Sequence, residues 1–209
     1  MKKWQDTLAV EILTISTGKC SNISPSNSYQ EEEKTVLSAI AKSPVSSIDN
    51  QVVIRCGLEG LQGDEHADLS VHGGQAKAIY CYPVEHYDYW RNAIEASDIH
   101  LSRLNQHGAF GENLTIVGIV EDQVFVGDVW KTNNVELVVT APREPCFKFN
   151  AIMGDRLAGK KMFSQGLCGW YFSVRNPGSL NAGESIKIFP GPRKRSIADV
   201  FESLAKKNL

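Results

Sequence analysis

Apolar and polar positions along this chain fall into many short stretches, most of which predict strands rather than helices. Leu8 to Ile15 is aliphatic and β-branched and stops before Gly18, which predicts a first strand. Residues 20–34, CSNISPSNSYQEEEK, are polar, turn-forming or acidic, which predicts a surface loop or mobile insertion outside the core. A strand predicted at Gln51–Cys56 runs into a loop with glycines at 57, 60 and 63, and after the pair Gly73-Gly74 another strand is predicted at Ala78–Tyr82. From Pro83 the period changes. Val84, Tyr87, Trp90 and Ile94 recur at three- and four-residue intervals, so PVEHYDYWRNAIEA predicts an amphipathic helix with its stripe on the core.

Beyond Gly111 the predicted strands are Asn113–Val117, Asp122–Lys131 with a bend at Gly127-Asp128, Val135–Thr140, Gly169–Arg175 and Ser185–Phe189, with only two helices interrupting them. Short strands without regular βαβ alternation favour a mostly-β barrel or closed sheet over a doubly wound fold. Ser196 stands as N-cap before Ile-Ala-Asp-Val-Phe-Glu-Ser-Leu, which predicts a C-terminal helix after the Pro190-Gly-Pro linker. The organisation expected is one barrel domain over 1–190, with linker and helix over 191–209.

Composition narrows the function. At 209 residues, 42% hydrophobic and 22% charged, the chain suits one globular domain and is neither largely disordered nor collagen-like. A formal charge of -2 gives no overall positive field for nucleic acid, so no stable nucleic-acid binding is expected. No apolar run is long enough to span a bilayer, and the start MKKWQDTLAVEIL lacks a leader's apolar core, so a cytoplasmic protein with no membrane partner is expected. Five cysteines (Cys20, Cys56, Cys81, Cys146 and Cys168), an odd number with no CxxC pair, fit neither a disulfide framework nor a zinc ribbon.

Two stretches carry candidate chemistry. In GLQGDEHAD followed by VHGGQAK, the Gly73-Gly74 pair lets backbone N–H groups approach an anion, with His72 and Lys77 adding charged donors; the bland alternative is a tight polar turn. In APREPCFKFN, Cys146 follows a strand and opens a helix, with Arg143 and Lys148 near it. That setting favours a thiolate that acts as nucleophile or soft-metal ligand, against the alternative of a buried small hydrophobe. Cys56, His66, His72 and Cys81 are too irregularly spaced for a zinc site. Asp64, set between glycines, has two readings: an acid–base group, or an acceptor of backbone N–H bonds that fixes its loop. The aromatics from Tyr80 to Trp90 read as core rather than as a base-stacking platform.

The run GLQGDEHADLSVHGGQAKAIYCYPVEHYDYW, followed in order by GAFGENLTI, VFVGDVW, VTAPREPCFKFN and GWYFSVRNPGSLNAGESIKI, closely resembles the MOSC domain, in its YiiM-like branch, over most of residues 36–190. The resemblance implies a β-barrel like the C-terminal domain of molybdenum-cofactor sulfurase, with the molybdenum cofactor in its molybdopterin form at an open end. It implies that Cys146 is the molybdenum ligand, and that Gly60, Gly63, Asp64, His72, Gly73, Gly74, Glu112 and Asn113 fall on the family's pocket motifs. Arg143 and Lys148 join the expected cofactor-binding set by charge and proximity to Cys146, Lys77 joins it as a charged donor beside Gly73-Gly74, and Asp64 and His72 join Cys146 as expected catalytic groups. The activity implied is an oxidoreductase that reduces N-hydroxylated compounds such as hydroxylaminopurine-type bases. The chain has no flavin fingerprint, haem CxxCH or iron–sulfur cysteine set, so an external electron-donor reductase is the expected partner of a monomer or homodimer. The alternatives at this stage are a carrier of cofactor, or of sulfur as a Cys146 persulfide, and a degenerate barrel serving as an interaction module.

Overall fold

A computed structural model describes residues 10–24, 35–67, 73–94 and 98–208. In chain order its strands are β1 (Val10–Thr17), β2 (Ser21–Ile23), β3 (Val36–Ser38), β4 (Ser43–Ser47), β5 (Ile54–Gly57), β6 (Gly60–Leu61), β7 (Ile79–Pro83), β8 (Leu114–Val117), β9 (Val129–Lys131), β10 (Glu136–Pro142), β11 (Trp170–Asn176), β12 (Gly178–Leu180) and β13 (Ser185–Phe189). The helices are α1 (Tyr87–Ala93), α2 (Asp98–Ser102), α3 (Phe147–Met153), α4 (Ala158–Gln165) and α5 (Ile197–Asn208).

Seven strands close into a barrel in the order β1, β13, β9, β10, β11, β7, β8 and back to β1, with β4 added on the outside of β1. The neighbours are antiparallel except β7 and β8, whose connection crosses the outside of the barrel through α1 and α2. β10 and β11 alternate Leu137 and Val139, Trp170 and Phe172 into the interior, where Trp130 packs 5.6 Å from Trp170 and 5.1 Å from Phe172 between ring centroids. β7 is buried on both faces. Its outer face meets a second aromatic layer in which Phe110 lies 4.5 Å from Tyr82 and Trp90 packs on Phe149, so Ile79–Pro83 has barrel on one side and helices on the other.

The mostly-β barrel and C-terminal helix stand as predicted, and several details do not. The first strand, predicted over Leu8 to Ile15, is described from Val10, residues 8 and 9 lying outside the described part, and runs on to Thr17, and the strand predicted at Gln51–Cys56 begins only at Ile54. The long strand predicted over Asp122–Lys131 shrinks to Val129–Lys131, because residues 121–127 form turns held by Gln123 N–H to the Val120 carbonyl and Gly127 N–H to the Val139 carbonyl. The helix predicted from Pro83 starts as a 3-10 turn at Val84 and is α-helical only over Tyr87–Ala93. β4, α2 and α4 are additional elements, so more than two helices interrupt the strands. Residues 20–34 are not wholly a loop: Ser21–Ile23 pairs with Val36–Ser38, while residues 25–34 lie outside the described part.

α5 belongs to the same core as the barrel. Ser196 and Asp199 form a reciprocal cap, the Asp199 N–H donating to Ser196 Oγ at 3.0 Å and the Ser196 N–H to the Asp199 carboxylate at 2.8 Å; those bonds hold the Asp199 carboxyl below its usual range. Ile197 and Phe201 are buried, and the Phe201 ring stacks on Phe163 of α4 at 5.1 Å. Truncation by Phe201→Ala is expected to lower unfolding free energy in urea by about 3–5 kcal/mol, the usual cost of emptying a buried phenyl site. A loss below ~1 kcal/mol would make the helix a detachable appendage.

Candidate functional site

The outer face of β7 and β11 and the start of α3 enclose a half-open cavity of about 90 Å³. Its wall includes Ile40, Lys42, Glu65, His66, Gly73, Lys77, Tyr80, Phe110, Gly111, Asn113, Arg143, Cys146, Lys148 and Tyr171. β10 delivers Arg143 directly after Pro142, and Cys146 is the extended residue that precedes α3. Across the cavity Gly111 takes φ +83°, and a Cβ there would meet the Ile40 carbonyl at 2.9 Å, so only glycine lets the 38–42 segment close this side.

The floor is a polar brace. Asp64, with its side chain 1% exposed, forms a salt bridge through its carboxylate with Lys42, accepts the Gly18 N–H at 2.8 Å and accepts Asn113 Nδ2–H at 2.9 Å. Asn113 also accepts the Tyr80 N–H at 3.0 Å and donates to the Ser16 carbonyl at 3.2 Å. Five segments distant in sequence thus meet on two side chains. Burial lowers the Lys42 pKa, and the Asp64 carboxylate opposes that shift.

Arg143 is 4% exposed and lines the cavity without a carboxylate partner among the described residues. Its guanidinium lies over the Phe149 ring at 4.5 Å and the Tyr80 ring at 5.4 Å, and one N–H reaches Met162 Sδ at 3.4 Å. Burial alone would lower its pKa, but Tyr80, Tyr171 and Cys146 outweigh that and raise it. Lys148, also buried, has no ion-pair partner among the described residues, and Lys77 lies 5.7 Å above the Tyr171 ring. Buried cations that proteins retain are ordinarily balanced by an anion. This wall has the cations and an open space beside them.

The predicted site residues divide accordingly. Cys146, Arg143, Lys148, Lys77, Asn113 and Gly73 line the cavity. Asp64 sits beneath it, its oxygens taken by the brace, which is the loop-fixing reading of that residue. Glu112 is wholly buried away from the cavity and accepts Tyr87 O–H at 2.5 Å, Gly108 N–H at 2.8 Å, Phe110 N–H at 3.0 Å and Thr115 O–H at 2.9 Å, so it ties the turn before β8. Gly60 lines a second, more open cavity, Gly63 lies in the turn beyond β6, and Gly74 caps the 3-10 turn at Gln75–Lys77. His72 lies outside the described residues. Lys42, Tyr80 and Tyr171 belong to the wall without having been singled out as site residues, and His66 had been weighed only for zinc. Their segments converge only in three dimensions, and no local pattern marks them.

Among the described residues no group of three or more His, Cys, Asp or Glu side chains could hold a metal ion by itself. A single thiol beside buried cations suits instead a metal that arrives with its own sulfur ligands on an anionic carrier. The molybdenum cofactor, a dithiolene bearing a phosphate, fits that donor set.

The MOSC domain family model matches residues 68–187, and the chain belongs to that family. It is 32% identical over 167 residues to the uncharacterized protein YflK of Bacillus subtilis, covering 80% of this chain and 70% of that one. It is also 34% identical over 156 residues to a protein of Gibberella moniliformis named Reductase, covering 74% of this chain but 27% of the fungal protein. Among solved structures, YiiM from Geobacillus stearothermophilus superposes with a TM-score of 0.69 at 27% identity, covering 95% of this chain and 85% of that one. The protein is thus a YiiM-like member of a family associated with the molybdenum cofactor. No helix among the described residues is long and apolar enough to cross a membrane.

The Asp64 and Lys42 side chains are 1% and 7% exposed, so Asp64→Asn leaves a buried ammonium without its counter-charge. The expected loss is about 3–5 kcal/mol of unfolding free energy in urea. The double variant Asp64→Asn with Lys42→Met is expected to recover most of it. A single variant as stable as the wild type would remove the brace from this account.

Proposed function

We propose that this protein binds the molybdenum cofactor in its molybdopterin form and reduces N-hydroxylated compounds, hydroxylaminopurine-type bases among them, with electrons from an external reductase. The observation that carries the reading is the placement of Cys146 on one cavity wall with the buried Arg143, which has no carboxylate partner among the described residues. The likeness to a fungal protein named Reductase supports the reaction class, although the matched stretch is a minor part of that protein.

In this reading the Cys146 thiolate ligates molybdenum, and Arg143 and Lys148 hold the cofactor's phosphate, with Lys77 at the rim. When bound, the cofactor supplies two-electron, oxygen-accepting chemistry. The chain's own residues set the conditions. Arg143 lies close enough to Cys146 for guanidinium and thiolate to stabilise each other, a coupling made stronger by burial. Tyr80 and Phe110 present apolar ring faces that keep bulk water from that wall. Cys146 precedes a helix of only seven residues, so the nearby cations rather than a long helix dipole favour its anionic form.

The test is metal analysis, pterin analysis and turnover on protein from a cofactor-competent host. Wild-type protein is expected to carry near-stoichiometric molybdenum and pterin, and to reduce hydroxylaminopurine with dithionite-reduced methyl viologen. Cys146→Ala is expected to lose the metal and at least 100-fold in turnover. Undiminished turnover in Cys146→Ala contradicts the reading. A sulfur adduct on Cys146 without molybdenum would replace it with the persulfide carrier.

A further inference from the structure

The cavity beside Cys146 has a neighbour. A more open space of about 630 Å³ lies against β5 and β6, with Arg55, Gln62, Gln75, Leu58 and Pro177 in its wall. His66 is the one described residue that lines both cavities. Its position is fixed by the chain around it. The Asp64 N–H donates to the Leu61 carbonyl at 3.1 Å and the Glu65 N–H to the Gly18 carbonyl at 2.9 Å, so the turn carrying His66 is pinned to the end of β1. The imidazole packs against Gly73, where a Cβ would stand 2.7 Å from His66 Cδ2 and 2.8 Å from Cγ. Gly73 has φ +92°, and both this backbone and the imidazole's closeness require glycine.

Reduction of R–NH–OH to R–NH2 breaks the N–O bond, consumes two electrons and two protons, and releases water. One proton goes to nitrogen, and the other goes to the departing hydroxyl oxygen. The electrons come from the external reductase, a flavin- or haem-carrying redox protein. A group able to give a proton near neutral pH is therefore needed beside the cavity.

The cavity wall offers few. Hydrogen bonds from the Cys20 N–H and Lys19 hold the Glu65 carboxyl below its usual range, so at neutral pH it has no proton to give. Burial pushes the Tyr80 and Tyr171 hydroxyls up, which makes them weaker acids. Lys42 is committed to Asp64. An imidazole ordinarily exchanges its proton near pH ~6.5, and this one stands between the reacting cavity and solvent. The charged groups that share a cavity wall with it are Lys42, Glu65, Lys77, Arg143, Glu144 and Lys148 in the first cavity, and Arg55, Glu59 and Asp64 in the second.

We propose that His66 is the proton donor to the substrate's departing hydroxyl, placed at the junction of the two cavities and reprotonated from solvent through the open one. This rests on the reading of the protein as an N-hydroxy reductase. It gives the chain a second catalytic residue, on a different loop from Cys146, and assigns the open cavity a task.

The experiment compares wild-type and His66→Gln proteins from the same cofactor-competent host. Molybdenum and pterin content are measured first, then turnover of hydroxylaminopurine with reduced methyl viologen against pH, and the His66 imidazole is titrated by nitrogen-15 NMR with and without hydroxylaminopurine. The variant is expected to keep its metal and its KM within about threefold and to lose at least ~100-fold in kcat. In the wild type kcat is expected to fall as pH rises through the neutral range, a limb absent from the variant, and hydroxylaminopurine is expected to move the imidazole's titration midpoint. A loaded variant with kcat within twofold of wild type, or an imidazole whose titration ignores hydroxylaminopurine, overturns the proposal while leaving the reductase reading standing. A wild-type protein that takes up neither molybdenum nor pterin overturns both.

Discussion

Arg143 is a full positive charge packed between Tyr80 and Phe149 with no carboxylate partner among the described residues, and the site is best understood from that constraint. Taking a cation out of water is costly unless something negative compensates it. Aromatic faces and a methionine sulfur return part of that cost. In the proposed function the remainder is met by an anionic cofactor in the cavity, with the Cys146 thiolate as a soft ligand on the same wall. Lys148 repeats the arrangement with a second buried cation.

The barrel makes such a wall possible because β7 is covered on both faces. Its inner side belongs to the tryptophan and phenylalanine core, and its outer side, with Tyr80 and Tyr82, becomes the base on which α1, α3 and the cavity are built. Strands buried on both faces allow a second layer to pack without exposing the sheet. The cavity then needs its loops fixed, and the Asp64–Lys42–Asn113 brace does this by joining the end of β1, the approach to β4, the turn beyond β6 and the start of β8. The Asp64 carboxylate, read from sequence as an acid–base candidate, is thereby spent on holding geometry, and the histidine two residues on lines both cavities.

Much of this fold was legible in the sequence wherever one face of an element is buried and the other is not. Ser185–Phe189 has the predicted bounds, Ile79–Pro83 is displaced by one residue, and the Ser196 cap marks the start of α5. Legibility failed where local pattern carries little. α4 buries only Ala158 and Met162, two positions too few to show a helical period, and ahead of the bend expected at Gly127-Asp128 the residues read as strand from Asp122 form turns. The site was half legible. Cys146, Arg143 and Lys148 lie within six residues of one another and announce themselves by chemistry. Glu112 and Asp64 fall on recognisable motifs, but burial and saturated hydrogen bonds give them bracing work that only the packed structure reveals. Lys42 and Tyr171 come from separate segments with no local pattern to mark them, and His66, within the GLQGDEHAD stretch, drew attention only as a zinc candidate.

The central claim is that this wall seats the molybdenum cofactor, and a crystal structure of the protein purified from a cofactor-competent host tests it most directly. The account predicts molybdenum bonded to Cys146 Sγ, with the cofactor's phosphate within hydrogen-bond distance of Arg143 and Lys148. Pterin and metal bound elsewhere on the barrel, or a Cys146 persulfide with Arg143 facing only solvent, would contradict it.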